Sequence, residues 1–482
     1  MTRSDAGMRT GNSPSRRTVL GAGTMLAAAA STGGAVAQDS AGPDLLGQIK
    51  SARRLLFKGG IVLTMDRQTG DFADADILVE NGTIREVRPE IDTTDAVVID
   101  AKGRILLPGF VDTHSHSYQG LLRGTLPNGV VLPDYDRDIQ KNITQHYTAQ
   151  DAYNGVLITA LGMLDLGTTT MIDISQVAHT REHVDANLQA LRDSGMRSLF
   201  ALARGIGPQA QYPQVMKELL PSYFSSSDQL ITPALATSTD AETFKSAREL
   251  GVRSVLHTRL NSEPLLALSR AGLLREGDVF IHCTHLNEQA WRVIKDTGGR
   301  TSHSPSVEMA MGHGYPAIQD AINAGVRPSL SCDHCATVGQ DMFGMMRTTF
   351  NLQRLAVQQR QRGGDTNAPS LLTCREVLEF ATREGARCAG LDHKVGTLTP
   401  GKEADLLMLR ADDLNIWPLN NAVSTVVNLM NPGHIDAVFV RGKPRKWGGR
   451  LVDVDAPKIR SEVARSRDNV LQKADFKIDL MA

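Results

Sequence analysis

Two histidines one residue apart, His114 and His116, stand where an apolar run passes through Pro108-Gly109 and ends. Side chains of an extended chain alternate faces, so residues i and i+2 point the same way and two imidazoles at that spacing can share one metal ion. Neutral imidazole suits zinc or iron. A bare His-x-His pair is equally what two polar residues at a strand end look like, so the pair needs company. Three more polar residues close short apolar stretches: His257 ends Ser254-Val-Leu-His257, His282 ends Val279-Phe-Ile-His282, and Asp333 ends Pro328-Ser-Leu-Ser-Cys-Asp333. In a parallel barrel, chemistry sits at the C-terminal ends of the strands. Any one of these residues alone would read as structural, whereas five at the ends of four strands read as a set.

The elements that must position them alternate. After the His-x-His strand come a helical pattern over 148–166, a strand at Thr168–Asp173, a helix over 183–194 and strands at Arg197–Ala203 and Leu230–Ala236. A helix over 239–250 follows, closed by Gly251. The strands ending in His257 and His282 are next, then Thr301–His303 and the strand ending in Asp333. That makes eight strands in a parallel α/β alternation, the number that closes a (β/α)8 barrel. Thr373–Ala389 reads as the closing helix, and residues 205–228 as a surface loop or lid. Before the barrel, residues 54–99 read as short strands with turns, among them a hairpin at Asn81-Gly82, a pair that readily takes the positive φ angles of a type I′ turn.

The Pro-Gly turn, the buried strand and Asp112 two residues ahead of the histidine pair resemble the first barrel strand of the amidohydrolase superfamily, in its cytosine deaminase and triazine hydrolase branch. Gly401-Lys-x-Ala-Asp405 is similar to wording from the same superfamily. The resemblance implies a TIM barrel flanked by a composite β-sandwich made by both chain ends. Expected boundaries are residues 38–107 and 393–482 for the two halves of the sandwich (with the C-terminal tail) and 108–392 for the barrel. It also implies roles: His114, His116, His257 and Asp333 as metal ligands, Asp333 as acceptor of the water proton, and His282 as the group that hydrogen-bonds the water or substrate. His285 is an alternative to His282. One divalent ion is expected, zinc or alternatively iron, because strand 4 lacks the lysine that two-metal relatives resemble one another in carrying. Gln119 and Arg123 on the loop after strand 1, and Glu308 and His313 after strand 7, are candidate substrate-side residues. Arg123 could instead pin its loop, and Glu308 could be a solvated loop residue.

One departure matters for the reaction. Three residues after the strand 5 histidine, the deaminase branch carries a glutamate that shuttles a proton to the ring nitrogen, and this chain has Leu260. Glu308 and Glu263 are the candidate replacements, and Glu308, just past a strand end, is the better placed. The function implied is hydrolysis of a non-peptide carbon–nitrogen bond in a cyclic nitrogen compound by metal-activated water. Cyclic amide hydrolysis, halotriazine-type dehalogenation and an inactive metal-binding barrel are the alternatives.

Composition agrees with a globular small-molecule enzyme. At 482 residues, with 41% hydrophobic and 22% charged residues and a net charge of −1, nothing calls for a nucleic acid or a membrane surface as partner. Five cysteines form no paired framework and read as buried thiols. Ser15-Arg16-Arg17, a short apolar run and Ala35-Val-Ala37 resemble a twin-arginine leader over residues 1–37, implying export through that machinery. Its removal takes away Arg3, Arg9, Arg16 and Arg17 against Asp5, moving the net charge to −4. A homo-oligomer is expected by analogy with the branch.

Overall fold

The computed structural model describes residues 43–207, 210–258 and 261–481. The expected leader at residues 1–37 and Leu260 lie outside them. Eight parallel strands make the central sheet: Phe110–Ser115, Thr168–Ser175, Arg197–Leu202, Ile231–Thr237, Arg253–Thr258, Val279–His282, Arg300–His303 and Pro328–Leu330, called strands 1 to 8 below. They neighbour one another in chain order. Closure comes just past the regular end of strand 8, where the Asp333 amide donates to the His114 carbonyl at 2.9 Å and the His116 amide donates to the Asp333 carbonyl at 2.8 Å. The barrel is therefore sewn shut at the level of the chemistry-bearing residues.

Strands 2 and 3 are buried along their whole length, as parallel strands covered on both faces must be. Val111, Ile172, Leu199, Ala234, Val255 and Ile281, one from each of six strands, pack into one cluster with Ala386 and Cys388. Between strands 1, 7 and 8 the contacts turn polar: Thr113, Ser302, Ser329, Ser331 and Ser304 form a chain of hydroxyl bonds of 2.7 to 3.0 Å. Gly109 admits strand 1 beside strand 2, since a Cβ there would lie 2.1 Å from Thr169 Oγ1.

Both chain ends contribute to a nine-stranded sheet. Its seam is Arg104–Pro108 paired antiparallel with Leu406–Arg410. Phe57 from the N-terminal part meets Phe439 from the C-terminal part edge-on at 5.1 Å, so the two halves share one core. The expected hairpin is present, with Asn81 at φ +50° and Gly82 at φ +80°. The Gly-Lys-x-Ala-Asp segment ties sheet to barrel: Arg197, fully buried at the start of strand 3, donates to both oxygens of Asp405 at 2.9 Å and to Glu403 at 2.6 Å.

Three expectations need correction. Residues 373–389 are two helices, Cys374–Phe380 and Arg383–Ala389. They part where the Val111 amide takes the Ala381 carbonyl and the Thr382 hydroxyl bonds back to Leu378 O at 2.7 Å. Residues 205–228 contain a helix, Gln214–Ser222. The C-terminal tail is a long helix, Ala456–Lys473, packed on the helix Ala149–Asp165 through Asn154–Ser466 and Asn469–Asp151 bonds of 2.9 Å, so it belongs to the barrel's outer layer.

Candidate metal centre and active site

Asp112 builds the site from underneath. Its carboxylate accepts the His114 amide with one oxygen and the Cys332 amide with the other, both at 3.0 Å. Strand 1 slips register between Asp112 and Ser115, and this clamp holds the slipped strand against the chain leaving strand 8. Burial raises the Asp112 pKa to about 6 in spite of those donors. Two of the functional side chains sit on strained backbone. His282 has φ +68° and Asp333 φ +60°, in the left-handed region that costs an L-residue about 1–2 kcal/mol and that clusters at functional sites.

His114 Nε2 lies 3.1 Å and His116 Nε2 3.4 Å from Asp333 Oδ1, and the His257 ring centre is 4.8 Å from that of His114. The ligand atoms form two sets, His114–His116–His257 and His114–His282–Asp333, each within 4.8 Å. The two sets share His114, so they describe one centre. His114 is wholly buried, its Nδ1 has no hydrogen-bond partner, and its Nε2 has only the Asp333 carboxylate beside it. A buried polar atom left so costs free energy, and a divalent cation removes that cost. Three imidazoles and a carboxylate are a zinc-type donor set, so the residues present fit the ion. Burial works against the charge on Asp333, but the imidazoles of His114, His334 and His116 hold its carboxyl well below the usual range. The His282 pKa is also lowered, chiefly by burial, which favours the neutral ring.

A cavity of about 310 Å³ opens above this centre, the size of a pocket for a small ring compound. His116, His257, His282 and Asp333 line it, together with Tyr135, Gln140, Gln176, His313 and His334. His313 stands edge-on to His282 at 4.5 Å, and His334 stacks on Tyr135 at 4.9 Å. The other three candidate substrate residues do not line the cavity. Gln119 is buried behind the wall and donates to the Tyr118 and Tyr135 hydroxyls at 2.9 and 2.6 Å. Arg123 pins its loop to the Ile158 carbonyl at 3.0 Å. Glu308 is fully buried behind His282, 3.1 Å from its Nδ1, with its pKa raised to about 8 by burial; it is neither solvated nor within the cavity wall.

Sequence reasoning missed Tyr135, Gln140, Gln176 and His334. Gln176 follows the last residue of strand 2 and His334 follows Asp333, so the strand-end rule could have flagged both. Tyr135 and Gln140 lie on an irregular helical stretch, Val131–Asn142, interrupted at Leu132 by non-helical backbone.

The amidohydrolase family profile matches residues 105–445. A 5-methylthioadenosine/S-adenosylhomocysteine deaminase from Caldicellulosiruptor saccharolyticus is 26% identical over 450 residues, covering 87% of this chain and 99% of its own length. A 5'-deoxyadenosine deaminase from Methanosarcina mazei is 25% identical over 440 residues, with coverages of 87% and 99%. Among solved structures, a zinc-bound adenosine deaminase from Xanthomonas campestris superposes with a TM-score of 0.77 at 23% identity, covering 87% of this chain and 98% of its own. Zinc-bound atrazine chlorohydrolase from Arthrobacter aurescens gives 0.75 at 21%, with coverages of 86% and 100%. With the barrel closed at its histidine–aspartate centre and most of the chain matched, this protein belongs to the amidohydrolase family and is a metal-dependent hydrolase of carbon–nitrogen bonds other than peptide bonds.

Proposed function

We propose that the protein removes an exocyclic amine, as ammonia, from a nitrogen heterocycle. The observation that carries this is one small cavity lined both by His116, His257, Asp333 and His282 of the metal centre and by the amide and phenol groups of Tyr135, Gln140 and Gln176. When bound, a divalent cation lowers the pKa of its water towards about 7. Asp333, held anionic, takes a proton from the attacking water and returns it to the departing amine, a transfer worth roughly 10²–10⁴-fold. His282 Nε2, 3.7 Å from Asp333 Oδ2, orients that water. Gln140 and Gln176 offer both donors and acceptors, as the edge of an aminated ring requires. The relatives named for deamination of adenosine-type nucleosides support the same reading.

The test is ammonia release by the zinc-loaded protein from aminated purines, pyrimidines and triazines, with loss of turnover on chelation and recovery on adding zinc. Chloride release from halotriazines alone, or ring opening of cyclic amides alone, would replace deamination with that chemistry. Bound zinc with no turnover on any of them would leave a metal-binding barrel.

We also propose export through the twin-arginine route, supported by Arg16-Arg17 and Ala35-Val-Ala37. Replacing both arginines by lysine should then retain the protein in the cytoplasm, as read by cell fractionation.

A further inference from the structure

We propose that Glu308 is a positioning residue that fixes His282 as its Nδ1-protonated tautomer, so that Nε2 faces the centre as an acceptor. The inference rests on the reading of His282 above for its catalytic meaning, but not for its geometry. Glu308 lies in the first turn of the short helix Pro305–Ala310, just past strand 7. Its Oε1 accepts the Ser304 amide at 2.8 Å. A carboxyl oxygen that carries a proton is a poor acceptor, so Oε1 is the unprotonated oxygen whether Glu308 is ionised or neutral. That same atom lies 3.1 Å from His282 Nδ1. Two acceptors would not rest at that distance in a fully buried pair, so Nδ1 carries the hydrogen and donates it. Glu308 Oε2, buried with no partner, is the atom left to hold a proton when the group is neutral.

The consequence lies on the other side of the ring. A neutral ring with its hydrogen on Nδ1 presents a lone pair at Nε2. Nε2 faces Asp333 Oδ2 across 3.7 Å, a second acceptor too far away to bond it. Only a hydrogen donor or a cation can bridge two such atoms, and an attacking water is a donor to both. The chain turns off strand 6 at positive φ, +68° at His282 and +56° at Cys283. Glu308 tethers the His282 side chain from the helix that follows the neighbouring strand. A partner of this kind, bonded to the far nitrogen of a functional histidine, is worth roughly 10–100-fold in activity or affinity.

The readout is the tautomer itself, from nitrogen-15 NMR of the zinc-loaded full chain labelled at histidine, with the His282 signals assigned by their loss in His282→Asn. We expect a protonated Nδ1 and an unprotonated Nε2 in the wild type. Glu308→Gln should keep that pattern, because its amide oxygen can accept both donors, and should keep kcat within a few-fold. Glu308→Leu removes the acceptor; it should mix or reverse the tautomers and lower kcat by roughly 10–100-fold with little change in KM. A wild-type Nε2-protonated ring would overturn the proposal, a result that needs no folded variant. So would an unchanged tautomer in Glu308→Leu, or a Glu308→Gln enzyme as slow as Glu308→Leu, since the carboxyl would then act as a proton carrier. If the tautomers behave as stated while no aminated ring releases ammonia, this inference stands and the deamination reading falls.

Discussion

Two buried polar clusters sit at opposite ends of the barrel strands, and they are built on opposite plans. At the N-terminal end of strand 3, Arg197 spends its donors on Asp405 and Glu403, and Asp405 also takes the Arg441 amide at 2.8 Å. No atom of Arg197, Glu403 or Asp405 is left buried and unpartnered among the described residues. At the C-terminal end, His114 has a bare Nδ1 and Glu308 a bare carboxyl oxygen, while Asp333 and His282 sit at positive φ. A saturated cluster has no valence left for anything else and serves the fold. An open, strained one is tolerated because something from outside completes it.

The sharpest break of this comparison is a swap of expectations between the two ends. Asp333→Asn should lower turnover by roughly 10²–10⁴-fold without lowering stability measured by urea unfolding of the metal-free protein, because asparagine tolerates φ +60° better than most residues. Arg197→Met should do the reverse. It leaves the buried Asp405 carboxylate without its guanidinium partner, costing about 3–5 kcal/mol, while zinc stoichiometry and the kcat of the folded protein stay as they were. If Asp333→Asn unfolds the chain, or Arg197→Met spares it, saturation does not separate structure from chemistry here.

His303 is the awkward case, and so a useful one. It ends strand 7, is fully buried, and has neither ring nitrogen bonded, yet it belongs to no donor set and does not line the cavity. Burial depresses its pKa from 6.5 to about 3. The unfolded chain therefore binds a proton below about pH 6.5 that the folded chain refuses. Stability is then complete above that pH and falls on acidification by about 1.4 kcal/mol per unit, until the folded ring titrates. His303→Leu should flatten this part of the acid limb in denaturation measured across pH, with zinc content unchanged and turnover within a few-fold. A collapse of turnover would move His303 into the site.

What could be read in the sequence was what repeats or alternates. His114-x-His116, the order of the eight strands and the strand-end positions of His257, His282 and Asp333 follow from period-two patterning and the geometry of parallel barrels. Asn81-Gly82 announced its turn. Gly401-Lys-x-Ala-Asp405 signalled a structural role, though not that Asp405 meets Arg197, because that contact joins residues 208 positions apart. The role of Glu308 was hidden for a different reason. A loop glutamate five residues past a strand end can point anywhere, and only the turn of the helix Pro305–Ala310 carries it behind His282. The C-terminal helix was missed although Asp455 caps it and a proline stands in its first turn, two of the usual start signals.

The smallest expected effect bears on a cluster that falls between the two plans. Gln176 Oε1 accepts the Tyr118 hydroxyl at 3.2 Å and Gln140 Nε2 at 3.3 Å, and Gln140 Nε2 also reaches the Tyr135 hydroxyl at 3.0 Å. This wall is partly saturated by itself, yet Gln140 and Gln176 both line the cavity, where Gln140 Oε1 and Gln176 Nε2 remain available to a ring edge. If the wall reads substrate, Gln176→Leu removes one or two ordinary hydrogen bonds of about 0.5–1.5 kcal/mol each. KM should then rise by roughly 2- to 12-fold per bond while kcat holds, the signature of binding shared equally by ground and transition states. If the wall is scaffold, the same substitution lowers the unfolding midpoint and leaves KM alone, and the amide–phenol cluster joins Arg197 and Asp405 on the structural side.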